Sequence, residues 1–230
     1  MSSTTFAIDR TSAKVPVGDT SLAVDLAIPV GAQGVALFAH GSGSGRHSPR
    51  NRHVADVLNQ GGLATILTDL LTEQEESIDA TTAQLRFDIG LLANRLIGIT
   101  DWVVEQPRLK DLRLGYFGAS TGAAAALVAA AERPQTVRAI VSRGGRPDLA
   151  GKALSRVVAP TLFIVGSLDP VVLDLNYSAI GRLPPGTRHK IEIIRGASHL
   201  FEETGTLDRV AIFARDWFRE YLSKDAGGLF

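Results

Sequence analysis

Short apolar runs alternate with longer helical patterns along most of this chain. The apolar runs are continuous in Val, Ile and Leu, rather than alternating apolar with polar, which indicates strands that are covered on both faces. Strands separated by helical patterns predict parallel pairing with crossover helices. The pattern therefore predicts an α/β fold with a mostly parallel, twisted sheet of about eight strands and helices on both faces.

The predicted elements form one domain over residues 1–230, and the part before residue 30 differs from the rest. The predicted strands are an antiparallel edge hairpin of residues 13–17 and 22–28, then residues 35–39, 62–68, 112–117, 137–141, 161–165 and 190–194. The predicted helices are residues 49–59, 82–104, 121–131, 149–154, 172–180 and 207–222. A polar loop containing Glu73, Glu75 and Glu76 precedes the long second helix.

Composition narrows the class of protein. Lys plus Arg number 24 and Asp plus Glu number 24, so the basic excess typical of a nucleic-acid binder is absent. The chain has no Cys, which removes disulfides and a Cys nucleophile. The first residues do not have the pattern of a secretory signal, and no apolar stretch is long enough to span a bilayer. We therefore expect a cytoplasmic protein without a membrane partner.

A G-x-S-x-G motif spans residues 118–122, where a predicted strand ends and a predicted helix begins. A Ser in such a sharp turn has a strained backbone and an exposed hydroxyl, and the flanking glycines let strand and helix pass closely. Ser120 is therefore the candidate nucleophile. The alternative is that Ser120 only caps the helix that follows.

Two further polar residues follow later predicted strands. Asp169 comes after residues 161–165, where an Asp can accept a hydrogen bond from an imidazole and fix its tautomer. The alternatives are that Asp169 caps the next helix, or that Asp174 inside that helix takes the role. His199 follows the last strand in a Gly-containing loop and is the candidate base, with a structural or surface role as the alternative.

The Gly-rich segment at residues 40–45 follows the first central strand and can direct backbone N–H groups at an oxyanion. We expect the donors to be the N–H groups of Thr121 and Ser42, with Gly43 as the alternative to Ser42. His40 is expected to be structural, with its ring held by hydrogen bonds. The segment also suggests a phosphate loop, but it lacks the Lys-Ser/Thr ending of a P-loop.

These segments together resemble the α/β-hydrolase superfamily over about residues 15–222, and within it the dienelactone-hydrolase-like group of small bacterial hydrolases. Residues 40–51, HGSGSGRHSPRN, and residues 142–149, SRGGRPDL, carry the second resemblance. The resemblance implies the α/β-hydrolase fold, a triad in the chain order Ser120, Asp169, His199, and an acyl-enzyme route without a cofactor or metal. Dienelactone hydrolases use a Cys nucleophile, whereas Ser120 needs His199 as its base at neutral pH.

Several residues are candidates for substrate binding: Gly43, Arg46, Glu73, Arg143 and Arg146. Together with Arg50, these arginines are expected near the mouth of the site, where guanidinium groups can hold a substrate carboxylate or phosphate. The alternative is that they pair with Asp148 and loop acids as solvated charge. Glu73 is equally a candidate surface residue, and Arg86 on the long helix is expected to pair with Asp88 or Glu73.

The gap between residues 142 and 161 is too short for a large lid domain, so we expect an open site suited to small soluble esters or lactones. A thioesterase or peptidase with the same triad is an alternative, because pocket shape selects the leaving group. A non-catalytic α/β-hydrolase-fold protein that binds a ligand or partner is another. The expected partner is a small-molecule ester, not nucleic acid, and monomer and dimer both remain open.

Overall fold

The computed structural model describes residues 7–223; the remaining ends of the predicted domain lie outside the described residues. The strands are β1 (Ile8–Val17), β2 (Thr20–Pro29), β3 (Val35–Ala39), β4 (Ala64–Thr68), β5 (Leu114–Ala119), β6 (Val137–Arg143), β7 (Thr161–Gly166) and β8 (His189–Ile194). The α-helices are α1 (Pro49–Gln60), α2 (Glu73–Thr82), α3 (Ile89–Val103), α4 (Thr121–Glu132), α5 (Pro170–Ile180) and α6 (Thr206–Leu222). Segments of 3-10 helix cover Leu85–Phe87 and Pro147–Arg156.

All eight strands form one sheet in the order β1-β2-β4-β3-β5-β6-β7-β8. The hairpin β1–β2 and the pair β2–β4 are antiparallel, and every other pairing is parallel. The predicted α/β architecture, a mostly parallel sheet of about eight strands with helices between them, is therefore confirmed. The parallel strands bring their carboxyl ends to one edge of the sheet, which is where ligands bind in open sheets of this kind.

The central strands of the sheet are buried on both faces, as the continuous apolar runs predict, whereas the edge strands β1 and β8 are largely exposed. On one face, the apolar side chains of α3 and α4 pack against residues such as Leu37, Tyr116 and Phe163. On the other face, α1 and α6 cover residues such as Phe38 and Phe117. The small residues of α4 are nearly all buried, so this helix lies close against the sheet and begins directly under the site.

The polar loop predicted around Glu73, Glu75 and Glu76 is wrong, because these residues begin α2. Thr72 caps the helix: its hydroxyl accepts a hydrogen bond from the Glu75 N–H, and the Glu75 carboxylate accepts one from the Thr72 N–H. This capping box stabilises a helix start even where the surrounding residues are polar. Acidic residues in the first turn also favour the helix through its dipole.

The single long helix predicted over residues 82–104 is also wrong. α2 ends at Thr82 because Ala83 adopts a left-handed conformation with φ of 54°, and α3 starts afresh after Asp88, whose side chain accepts a hydrogen bond from the Leu91 N–H. Arg86 lies in the 3-10 turn between the two helices and pairs with Asp79 at 2.6 Å, not with Asp88 or Glu73. The predicted helix over residues 149–154 is 3-10 helix with a kink at Gly151.

Only this 3-10 segment separates β6 from β7, so the described chain has no large lid over the carboxyl edge of the sheet. In the part of the chain that the structure describes, no helix combines the length and apolar character needed to cross a bilayer.

Candidate active site

Ser120 is the one residue between β5 and α4, and its backbone is strained. Its φ of 50° and ψ of −120° lie where side chains other than Gly are rarely found. The Ser120 N–H donates to the Arg143 carbonyl at 3.2 Å, and its carbonyl accepts from the Arg146 N–H at 3.1 Å. These bonds to the neighbouring strand and loop hold the turn. The Ser120 side chain makes no capping hydrogen bond to α4, so the capping interpretation is wrong.

The glycines on either side of Ser120 are required by close backbone approaches. A Cβ atom at Gly122 would lie 2.3 Å from the carbonyl oxygens of Ala39 and His40, and one at Gly118 would lie 2.4 Å from the Cα of Ala123. Neither neighbour is a flexible side-chain end, so both positions exclude any larger residue. The strand and helix therefore pass as closely as the motif predicts.

Asp169 and His199 form a direct hydrogen-bonded pair. His199 Nδ1 lies 2.6 Å from Asp169 Oδ2, with the carboxylate mostly buried and the imidazole more exposed. Asp169 occupies the position before α5, yet its side chain makes no capping hydrogen bond to that helix, so the capping alternative is wrong. Asp174 lies inside α5, away from this pairing. The pairing fixes a proton on Nδ1 and leaves Nε2 as the acceptor.

The loops carrying Asp169 and His199 are bonded to each other. The Leu168 N–H donates to the Ala197 carbonyl at 2.9 Å, and the Gly196 N–H donates to the Ser167 hydroxyl at 2.8 Å. A Cβ atom at Gly166 would lie 2.2 Å from the Ala197 carbonyl oxygen, so this approach also depends on Gly. These backbone contacts thus fix the distance between the Asp169 carboxylate and the His199 imidazole.

His199 lies against the segment that holds Ser120. A Cβ atom at Gly144 would lie 3.1 Å from the His199 carbonyl oxygen and 3.6 Å from its ring atom Cε1. Gly144 directly follows Arg143, the backbone partner of Ser120. Within residues 7–223, no hydrogen bond joins the Ser120 hydroxyl to His199. Hydrogen bonds between nucleophile and base are often formed fully only when substrate is bound.

The Gly-rich loop after β3 packs against Ser120. A Cβ atom at Gly41 would lie 3.1 Å from the Ser120 Cβ, and the Ser42 hydroxyl lies 3.1 Å from the Thr121 hydroxyl. Among the described residues, the backbone N–H groups of Ser42 and Thr121 have no acceptor. Thr121 is the first residue of α4, where the helix leaves N–H groups unpaired and its dipole favours negative charge. The two predicted oxyanion donors are therefore without an acceptor, and they belong to residues whose hydroxyls are in contact.

His40 holds this loop in place from below. Its Nδ1 donates to the Gly41 carbonyl at 2.9 Å, and its Nε2 accepts from the Leu70 N–H at 3.0 Å. The bond from Leu70 needs the neutral ring, because Nε2 can accept a hydrogen bond only while it is unprotonated, whereas Nδ1 can donate to Gly41 in either state. Burial lowers the pKa of His40, outweighing the opposing effects of the Gly41 carbonyl and Asp69. The structural role predicted for His40 agrees with this geometry.

A cleft of about 710 Å³ opens beside the Gly-rich loop. Ser42, Gly43, Arg46, Arg50 and Thr121 line one side, and α2 forms the other with its carboxylates. The carboxylates of Glu73 and Glu76 have no ion-pair partner in the described part of the chain. Burial and then the charge of Asp69 raise the pKa of Glu76. Of the candidates for substrate binding, Gly43, Arg46 and Glu73 therefore lie at this cleft.

The four predicted arginines divide into two kinds. Arg46 pairs with Asp69, Arg146 makes a two-point pair with Asp148 at 2.8 and 2.9 Å, and Arg50 pairs with Glu202 at 3.1 Å. Arg46 and Arg146 agree with the interpretation as paired charge, and Arg50 agrees in part, because its Nη1 is paired while its Nε is buried without a partner. Arg143 differs, because it is 9% exposed and no carboxylate pairs with it in the described residues. The sequence does not distinguish Arg143 from the others, since pairing depends on which loops meet in the fold.

A second cleft, of about 500 Å³, lies between the β1–β2 hairpin and α1, and none of the candidate catalytic residues lines it. Within the described residues, no cluster of three or more His, Asp or Glu side chains is arranged to hold a metal ion.

The chain is similar to several solved structures. The crystal structure of a dienelactone hydrolase from Anabaena variabilis is 58% identical, with a TM-score of 0.91, and the match covers 94% of this chain and 99% of that one. Est1E from Butyrivibrio proteoclasticus shares the fold at 14% identity and a TM-score of 0.74, over 91% of this chain and 98% of its own. The dienelactone hydrolase-like promiscuous phosphotriesterase P91, from metagenomic libraries, also shares the fold. It is 17% identical with a TM-score of 0.76, and the match covers 94% of this chain and 100% of that one.

Among curated proteins, the chain is 54% identical over 209 residues to the "Putative phosphoribosyl transferase Rv0571c" of Mycobacterium tuberculosis strain H37Rv. The match covers 91% of this chain but 46% of that protein, so the chain spans about half the length of this relative. No protein-family model matches the chain.

Proposed function

This chain belongs to the dienelactone-hydrolase-like α/β-hydrolases, and from that membership we propose that it is a serine hydrolase of small soluble carboxylic esters or lactones. The observation that carries the proposal is the Asp169–His199 pair at 2.6 Å, held against the segment that anchors the strained Ser120 turn. The dienelactone hydrolase activity named for the relative from Anabaena variabilis supports it.

In the proposed reaction, the Ser120 hydroxyl attacks the carbonyl carbon while His199 Nε2 takes its proton. Asp169 holds the other ring nitrogen and stabilises the imidazolium that forms. His199 then gives the proton to the leaving alcohol oxygen as the bond from carbon to that oxygen breaks. Water repeats the sequence on the acyl-enzyme, which releases the acid and restores Ser120.

The oxyanion of each tetrahedral intermediate would be held by the backbone N–H groups of Thr121 and Ser42, with Gly43 as the alternative second donor. Both belong to segments whose backbone is fixed, one by the start of α4 and one by the His40 bonds. Donors fixed in advance are worth roughly 3 kcal/mol each in comparable enzymes. Because no large lid covers it within residues 7–223, the site is accessible to small soluble substrates.

The transferase name of the curated relatives is not assigned to this chain. The chain matches less than half of those proteins, and the match does not identify which part carries the named activity.

A thioesterase or peptidase would use the same catalytic groups as the proposed esterase. A panel of ester, lactone, thioester and peptide substrates separates these activities.

The test is labelling with a fluorophosphonate probe, with the modified residue located by mass spectrometry. We expect labelling at Ser120, no labelling of Ser120→Ala, and undiminished labelling of the control Ser178→Ala, which removes an exposed hydroxyl from α5. Ser120→Ala should lose turnover of short-chain esters and lactones while keeping its fold. A folded wild-type protein that neither labels nor hydrolyses any ester, lactone or thioester would indicate the non-catalytic alternative.

A further inference from the structure

Arg143 places a guanidinium group in the layer between the sheet and α1. It is the last residue of β6, and Val141, two positions earlier, packs in the core that α1 and α6 cover. Because side chains alternate along a strand, Arg143 points to the same face as Val141. It is nine-tenths buried, at the end of the layer nearest Ser120.

No acid within residues 7–223 neutralises this buried charge. The Arg143 Nη1 atom is buried and has no hydrogen-bond partner. Burial, and secondarily the positive charge of Arg50, lowers the pKa of Arg143 to about 10. A buried guanidinium without an anion is expensive, and such groups are normally paired.

Arg50 places a second guanidinium on the same side of the sheet, near enough for its charge to lower the pKa of Arg143. It lies in the first turn of α1, and Val54, one turn later, packs in the same core layer, so both side chains lie on the same side of the helix. Its Nη1 donates to Glu202 at 3.1 Å, while its Nε is buried without a partner. Two like charges with unpaired buried donors thus lie together, and Arg50 also lines the cleft that Ser42 and Thr121 share.

We propose that Arg143 and Arg50 form an anion-binding site beside Ser120, which takes a carboxylate or phosphate group. An oxyanion placed between the two guanidiniums would accept hydrogen bonds from both and remove the repulsion between them. The site is next to the proposed chemistry, because the Arg143 carbonyl holds the Ser120 N–H and the following Gly144 lies against the His199 ring. The bound anionic group is either part of the substrate or a separate ion from solution. Binding of a substrate group rests on the proposed function, whereas binding of a separate ion does not.

The binding test uses inorganic phosphate and follows the melting temperature at constant ionic strength, with chloride as the reference ion. We expect a saturable rise for the wild type and none for Arg143→Met. The control Arg138→Gln, which removes an exposed arginine from the other end of β6, should respond as the wild type does. Without phosphate, Arg143→Met should melt at or above the wild-type temperature, because it removes an unpaired buried charge.

Two results would overturn the site: no saturable phosphate response in the wild type, or an unchanged response in Arg143→Met. If Arg143→Met does not fold, Arg143→Lys is the second variant, because it keeps the charge and loses the two-point geometry. A wild-type phosphate response in Arg143→Lys would equally contradict the proposal, since a weakened response is expected.

The second test identifies the source of the anion by comparing a neutral aryl ester with the aryl hemiester of a short dicarboxylic acid. If the substrate supplies the anion, the ratio of kcat/KM for the hemiester over the neutral ester should fall about tenfold or more in Arg143→Met. If a free ion occupies the site, the phosphate response disappears in that variant but the ratio does not change. A failure of the proposed function would show as unlabelled Ser120 and no hydrolysis, with the phosphate response intact.

Discussion

The Ser120 backbone adopts an unfavourable conformation that places its side chain in the site. Its φ of 50° is adopted without the freedom of Gly, and hydrogen bonds to Arg143 and Arg146 hold it there. Backbone strain of this kind costs about 1–3 kcal/mol and persists only where surrounding structure imposes it. The sharp turn is what separates the Ser120 hydroxyl from the capping role that a Ser before a helix normally has.

Replacing Ser120 by Gly should relieve that strain. We expect Ser120→Gly to be more stable than Ser120→Ala by about 1 kcal/mol, because relief of strain exceeds the entropy that Gly adds to the unfolded chain. Urea unfolding of the two variants, with equal m-values, measures the difference. Equal stabilities would mean that the turn is not strained. Both variants lack the hydroxyl, so neither should label with the fluorophosphonate probe.

Gly122 is the residue whose replacement should damage the turn most directly. A methyl group there would meet two backbone carbonyl oxygens at 2.3 Å, one from the last residue of β3 and one from the residue after it, and β3 is central in the sheet. We expect Gly122→Ala to lower the free energy of unfolding by about 3 kcal/mol or more. The control Gly181→Ala, whose Cβ would meet its nearest atom at 3.6 Å, should change stability little. Urea unfolding of both variants tests the contrast.

At the scale of elements, the sequence predicts the central strands well because they are buried on both faces. Their continuous apolar runs locate them, and each parallel strand agrees with its prediction to within two residues at either end. The first strand of the hairpin is predicted too short: it begins at Ile8 and not at residue 13, because its first residues are mostly exposed and polar and form no apolar run. The convergence of Ser120, Asp169 and His199 follows from their positions after parallel strands. Their catalytic roles remain a prediction, since geometry brings them together without testing the reaction.

Two of the misses concern the segment between β4 and β5, where polar composition conceals short-range structure. The Thr72-x-x-Glu75 capping box was readable in the sequence and would have identified α2. The left-handed Ala83 was not readable, because Ala carries no preference for that conformation. The unpaired state of Arg143 was also beyond the sequence, because it depends on the absence of an acid from a layer built by distant segments.

The capping box of α2 gives a prediction at this scale. Thr72→Ala should destabilise the first turn of α2 by about 1 kcal/mol, because the Glu75 N–H loses its acceptor. Amide hydrogen exchange in that turn should accelerate about fivefold if it proceeds by local opening. The control Thr81→Ala removes an exposed hydroxyl from the last turn of the same helix and should leave the first turn unaffected. Unchanged exchange in Thr72→Ala would contradict the capping role.

For the whole molecule, the carboxyl edge of the sheet unites segments that are distant in the chain. The loops after β3, β5, β6, β7 and β8 are joined to one another by backbone bonds and by glycine contacts, whereas the cleft wall on the other side is the acidic α2. The site therefore combines a rigid half, which holds the proposed catalytic groups, with a helix whose two unpaired carboxylates face the cleft. His40 links the Gly-rich loop after β3 to the segment after β4 through its bonds to Gly41 and Leu70. The position of this loop therefore depends on the His40 bonds, and these bonds also contribute to the stability of the fold.

That contribution makes stability depend on the protonation of His40. Its pKa in the folded protein lies below the ordinary value of 6.5, because burial disfavours the charged ring. The unfolded chain therefore binds the proton more readily than the folded protein between the two pKa values. The stabilisation from the neutral ring is complete above about pH 6.5 and is lost as the pH falls toward the folded pKa, at up to about 1.4 kcal/mol per pH unit. We expect the free energy of unfolding of the wild type to fall over this range.

The measurement is urea unfolding of the wild type and His40→Gln between about pH 7.5 and about pH 5.5. Subtracting the two pH profiles removes the contribution of every other titrating group, because both proteins share those groups. The variant is expected to be less stable at the upper pH, since Gln cannot reproduce both hydrogen bonds, and the difference should shrink as the pH falls. A difference that stays constant across the range would mean that the His40 ring titrates alike in both states. A shrinking difference would establish His40 as the group that ties the Gly-rich loop to the sheet only while it is neutral.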